Sequence, residues 1–116
     1  MEVEMASSVG MGYKTVKVTA TGAALGVRVG IKPRKVVCHN LTNGYKAEWN
    51  EALADDSALV TSDAGARSVV SSAGFSLLAG SSSTVPGFSL GALANVNDTT
   101  TEDLLFEVYG GYTEKV

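Results

Sequence analysis

The sequence predicts an all-β fold, a compact antiparallel β-sandwich or barrel of about eight short strands behind an extended N-terminal arm. Three observations carry this prediction. Apolar and polar residues alternate with period two, most plainly where Leu25, Val27, Val29 and Ile31 interleave with Gly26, Arg28, Gly30 and Lys32. Turn-forming clusters of Gly, Asn, Asp and Ser separate these runs at the spacing of short strands. No segment keeps a helical period long enough to supply the crossover helices that a parallel sheet requires.

Residues 1–11, MEVEMASSVGM, show no strong period and read as an arm that a partner would order; residues 12–116 read as a single β domain. From Tyr13 onward Val16, Val18 and Ala20 oppose Thr15, Lys17 and Thr19, a half-buried strand. Thr21-Gly22-Ala23-Ala24 has the length of a hairpin loop to the next strand, Leu25–Ile31, which Pro33 then interrupts for want of an N–H. A second hairpin is expected over Lys35–Trp49, turning at Asn43-Gly44, a dipeptide suited to a type I′ turn. Residues 51–56 offer a helical turn at most.

The second half continues in short pieces. Ala58-Leu59-Val60 and Val69-Val70 flank a turn at Ser62-Asp63-Ala64-Gly65, and Ala73-Gly74 separates Val69-Val70 from Phe75–Leu78. Residues 80–84 form a polar loop before the brief strand Phe88–Leu90. Residues 95–101 form a turn-rich, solvated loop, and Leu104–Tyr109 alternates as the last strand. The expected core comprises Val27, Val29, Ile31, Val36, Trp49, Phe88, Leu104, Phe106 and Val108.

Composition narrows the function classes. A chain of 116 residues with 45% apolar residues and a mean hydropathy of +0.14 supports one domain with its own core. One Cys precludes an internal disulfide, and one Cys with one His precludes zinc sites built from those residues alone. No apolar run reaches a membrane-spanning length, and Glu2 and Glu4 stand where a signal peptide carries Lys or Arg, so neither membrane nor secretory routes are expected. Net charge is −3 but polarised: residues 1–47 carry seven bases against two acids, residues 48–116 two bases against ten acids. Such halves either complement each other within the fold or steer contacts between subunits.

No catalytic or cofactor-binding constellation emerges. Adjacent Cys38 and His39 on a strand face opposite ways, which opposes a nucleophile–base pair. No G-x-S-x-G occurs, and His39 is the sole candidate base. An EF-hand beginning at Asn95 fails because its sixth and twelfth positions are Thr100 and Phe106; a cation site of Asp98, Glu102 and Asp103 is the weaker alternative to a solvated turn. Asn40-Leu41-Thr42 and Asn97-Asp98-Thr99 are formal glycosylation sequons. Lys32, Arg34 and Lys35 straddle Pro33 and suit an acidic partner; nucleic acid is not the expected one, because few aromatics interleave with them.

Two segments carry a family resemblance. Pro33-Arg34-Lys35-Val36-Val37 leading to Asn40-Leu41-Thr42-Asn43-Gly44-Tyr45-Lys46-Ala47-Glu48-Trp49-Asn50, and Pro86-Gly87-Phe88-Ser89-Leu90-Gly91-Ala92 followed by Asn97–Glu102, resemble small virion structural proteins of tailed bacteriophages. Within that group the chain is similar to head decoration, or cement, proteins. The resemblance implies a β-rich, non-enzymatic protein without cofactor or metal, made in the host cytoplasm and bound in many copies to the virion surface. Its implied partners are the major capsid protein and further copies of itself, with no membrane contact; the split charge suits head-to-tail contacts that close into a ring, a three-fold one being expected. The residues expected to meet partners are Met1, Glu2, Val3, Glu4 and Met5 of the arm, with Lys32, Arg34 and Lys35. The alternative within the same group is a tail- or fibre-associated adaptor or carbohydrate-binding module.

Overall fold

The computed structural model describes residues 2–4 and 12–111. Their strands are β1 (Glu2–Glu4), β2 (Tyr13–Thr19), β3 (Leu25–Arg28), β4 (Pro33–Asn40), β5 (Lys46–Asn50), β6 (Ser57–Thr61), β7 (Arg67–Leu78), β8 (Gly87–Leu90) and β9 (Asp103–Gly110). No helix occurs among the described residues. The strands form one sheet in the order β1-β3-β8-β7-β6-β5-β4-β9-β2. Strands β2 to β9 all pair antiparallel, and only β1 runs parallel to its neighbour β3. The sheet curls round its own core as a half-barrel, the barrel-like member of the two architectures expected.

Period two dictates this curl. Along one inner row Val16 opposes Phe106, Phe106 opposes Cys38, Cys38 opposes Ala47, and Ala47 opposes Val60. Small Cys38 and Ala47 leave room for the Phe106 ring, which packs 5.1 Å from Phe88; Phe88 in turn lies 6.0 Å from Phe75. All nine residues of the expected core are buried, Trp49 with its indole N–H donating to the Ala54 carbonyl at 3.2 Å.

Several local expectations are corrected. The segment 20–24 does not close a hairpin: β2 pairs with β9 and β3 with β8, so this short connection joins opposite ends of the sheet. Buried Asn97 holds it there, its Oδ1 accepting from Thr21 N and its Nδ2 donating to the carbonyls of Ala23 and Gly91. Residues 95–101 are therefore not simply solvated, since Val96 and Asn97 are both fully buried. The hairpin at Asn43-Gly44 exists, but with a five-residue loop, 41–45, in which Gly44 and not Asn43 takes positive φ. A type I′ turn needs both. Asn40 replaces it, its Oδ1 accepting from the backbone N–H groups of Thr42 and Asn43.

Ala73-Gly74 is a bulge inside β7, not a boundary between strands. Ala58 pairs with Val70 and Ser57 with Phe75, leaving residues 71–74 unopposed, with Ala73 at φ +59°. The bulge lets β7 pair with β6 through its first half and with β8 through its second. A Cβ on Gly74 would collide with the Ser57 backbone, so this approach requires glycine. Residues 80–84 are closed by Ser81, whose Oγ accepts from the N–H groups of Ser83 and Thr84.

Candidate functional site

The interior is filled by side chains, so the groups available for chemistry or recognition lie on the outer face and rim of the sheet. The richest cluster spans β2, β9 and β4. Tyr13 and Tyr109 are directly opposed across β2 and β9 on the outer face, their rings 4.9 Å apart and tilted by 43°. Lys35, opposite Tyr109 on β4, places its Nζ 5.5 Å from that ring's centroid. One step along, Glu107 receives the Tyr13 hydroxyl at 3.4 Å and meets His39 Nε2 at 2.7 Å. Both tyrosines stay substantially exposed, at 44% and 37%.

Electrostatics follow from these contacts. The His39 hydrogen bond, with smaller help from the His39 and Lys35 charges and the Tyr13 hydroxyl, holds the Glu107 carboxyl below its ordinary range; partial desolvation opposes this. Partial desolvation and the Glu107 carboxylate raise the Tyr13 phenol. Cys38, on the other face of the same strand, is fully buried, and burial pushes its thiol far up. It faces away from His39, so the two make no nucleophile–base pair.

The basic residues singled out by the sequence lie at one end of β4. Pro33 pairs with Gly110 and Lys35 with Tyr109, so Arg34 is the extra residue of a bulge. Strict alternation would turn one of Arg34 and Lys35 inward; the bulge exposes both. Arg34 pairs with Glu51 at 3.6 Å across exposed surface. Exposed Lys32 borders a small apolar hollow of about 240 Å³ with Pro33, Leu77, Leu78 and Pro86. Arg28 is committed internally, donating to the carbonyls of Ala79 and Val85. Of the arm, Glu2, Val3 and Glu4 form β1 beside β3, whereas Met1 and Met5 fall outside the described residues.

Sequence reasoning missed Tyr13, Tyr109 and Glu107 as a cluster. The only available signal was their place on the polar side of two alternating strands, and nothing local pairs residues 94 apart. It also missed a pocket of about 290 Å³ at the rim, where Tyr45, Val60, Arg67, Val70 and Leu93 meet.

The acidic loop does not assemble as a cation site. Asp98 Oδ2 accepts from Asn95 N, while the Glu102 carboxylate accepts from Asn40 and Asn43. Among the described residues no group of three His, Cys, Asp or Glu is placed to hold a metal ion. Both sequon asparagines, Asn40 and Asn97, have buried amides engaged within the fold. Comparison with protein-family models, curated proteins and solved structures finds no match to the chain.

Proposed function

We propose that this protein is a structural component of a tailed-phage virion, a decoration protein that binds the major capsid protein in many copies and stabilises the head shell. The observation that carries this reading joins the resemblance to the geometry. The two segments that resemble decoration proteins are far apart in sequence yet form one structural unit. Asn40 Nδ2 and Asn43 Nδ2 both donate to the Glu102 carboxylate, and residues flanking the second segment add to this: the Val96 and Asn95 carbonyls accept from Asn40 and Asn43, and Asp103 N donates to Thr42 Oγ1. These bonds support reading the shared motifs as a framework.

What remains for function is surface. The exposed end of β4 supplies Lys32, Arg34 and Lys35 as a basic patch suited to an acidic region of the shell, and the tyrosine pair beside it offers flat contact area. Imaging and quantitative mass spectrometry of virions that carry the protein test the reading. Copy numbers matching the capsid lattice, with density on the outer shell, are expected. A few copies per particle would move the protein to the tail. That alternative, a tail- or fibre-associated carbohydrate-binding module, has one observation in its favour: exposed aromatic pairs such as Tyr13–Tyr109 stack on sugar rings.

A further inference from the structure

Among the described residues the half-barrel has two edges, β1 at one end of the sheet order and β2 at the other. We propose that copies of this chain associate head to tail through these edges, the β1 edge of one copy lying along the β2 edge of the next and continuing the sheet across the contact. This rests on the multicopy reading above and specifies how neighbouring copies meet.

Backbone geometry is the first argument. The Gly12 carbonyl accepts from Gly110 N, and Ala20 N donates to the Glu102 carbonyl. Both bonds fit the register in which Lys14 faces Val108, Val16 faces Phe106 and Val18 faces Leu104. Backbone groups alternate in direction along a strand, so the even-numbered residues of β2 address β9. Tyr13, Thr15, Lys17 and Thr19 therefore turn their N–H and C=O groups to the open side, where no strand pairs among the described residues. Among the described residues this side of the seven-residue strand is unpaired, a template for another strand.

Charge chooses the occupant. Strand β2 carries Lys14 and Lys17 and no acid, whereas β1 is Glu2-Val3-Glu4 and carries no base. Two β2 edges, or two β1 edges, would oppose like charges; β1 against β2 opposes unlike ones. Such a contact uses two different surfaces, so it propagates until rotation closes a ring. Edge lysines also serve elsewhere as guards against strand addition. The guard reading gives a monomer.

The experiment measures association of the full chain by sedimentation velocity at high protein concentration, in low and high salt. The expected result is a salt-sensitive closed oligomer. Thr15→Pro removes one outward N–H and no bond to β9, so it should keep the β-type circular dichroism spectrum and lose the oligomer. Val16→Pro, whose N–H addresses β9, should unfold the edge instead. Lys14→Glu/Lys17→Glu should also be monomeric, as should Glu2→Lys/Glu4→Lys, and mixing those two variants should restore association.

A monomer in every condition, an oligomer indifferent to Thr15→Pro, or one that survives Glu2→Lys/Glu4→Lys overturns the edge contact. Shell binding is scored separately on particles. Full loading by the Thr15→Pro variant would leave the decoration reading standing without this contact. Oligomers that never bind shells would do the reverse.

Discussion

Asn40 Nδ2 donates to Glu102 Oε1 at 3.0 Å, tying the tip of the β4–β5 hairpin to the residue before β9. The same amide group donates to the Val96 carbonyl at 3.0 Å, while Asn40 Oδ1 takes the N–H groups of Thr42 and Asn43. Asn40 is 2% exposed, so these partners have no ready substitute in water. Asn40→Ala should therefore cost at least about 2 kcal/mol, because a lost partner leaves buried groups unsatisfied at about 1–3 kcal/mol each. Urea unfolding checks this; a loss within the range of a surface change, about 0.5 kcal/mol, would show the loop closing without its asparagine.

Phe106 sits between Phe88 and the small side chains of Cys38 and the β5 strand beyond it, fully buried. Phe106→Ala should cost about 3–5 kcal/mol, the transfer loss plus the cavity left in a half-barrel that cannot collapse evenly. Equilibrium denaturation reads it. A loss under about 1 kcal/mol would mean that the ring contributes little to the core despite its burial.

Period two made β2, β5 and β9 and the buried face of each legible, because alternation is a local property of the chain. The Asn-Gly dipeptide located the second hairpin for the same reason. Partner choice was not legible. A four-residue Gly-containing loop fits a hairpin after Thr19, yet the inner residues Val16 and Val18 pair with Phe106 and Leu104, which lie at the far end of the sequence. The bulges at Arg34 and over residues 71–74 insert residues without changing composition, so alternation alone could not place them. Asn97 looked like loop polarity because two of its three partners, Thr21 and Ala23, come from a connection more than seventy residues away, and the third, Gly91, from the start of its own loop. The tyrosine cluster was hidden for the reason β2 was misassigned: it exists only once β2 lies against β9.

The His39–Glu107 pair should give the protein a small acid-side dependence of stability. Its hydrogen bond with His39 holds the Glu107 carboxyl below its unfolded value. A group depressed on folding stabilises above the unfolded pKa, about 4.3 for Glu, and loses that contribution as pH falls through the folded value. Both side chains are partly exposed, at 36% and 28%, so the effect at neutral pH should stay at about 0–1 kcal/mol. Glu107→Gln should remove this component from a plot of unfolding free energy against pH below about 5. An unchanged acid limb would show that the pair forms no net interaction.

Cys38 should be inert in the folded protein. It is fully buried, and burial pushes its thiol well above the ordinary value, so the reactive thiolate is almost absent at neutral pH. A thiol-specific chromogenic reagent should label it only as fast as the sheet opens, and added urea should accelerate labelling in step with unfolding. Prompt stoichiometric labelling in native buffer would place the thiol within reach of solvent and contradict the packing of β4 against β9.

Reversing the basic end of β4 should weaken attachment without unfolding the domain. Lys32, Arg34 and Lys35 are all exposed, and the bulge at Arg34 keeps them together at the rim. The variant Lys32→Glu/Arg34→Glu/Lys35→Glu loses one surface ion pair, Arg34–Glu51, and the Lys35 contact with Tyr109, together about 1–2 kcal/mol. Its circular dichroism spectrum should stay β-type, with a modestly lower melting temperature. If this patch meets acidic groups of the shell, the reversed charge opposes every such contact, and the loss appears chiefly as slower association at low salt. Shells lacking the protein, incubated with wild-type or reversed protein over a salt series, provide the measurement, with bound copies counted by mass spectrometry. Wild-type loading should fall as salt rises, and the variant should load poorly at every salt concentration. Equal loading of the two proteins would clear the β4 end of any role in attachment and leave the Tyr13–Tyr109 surface or the arm to make the contact.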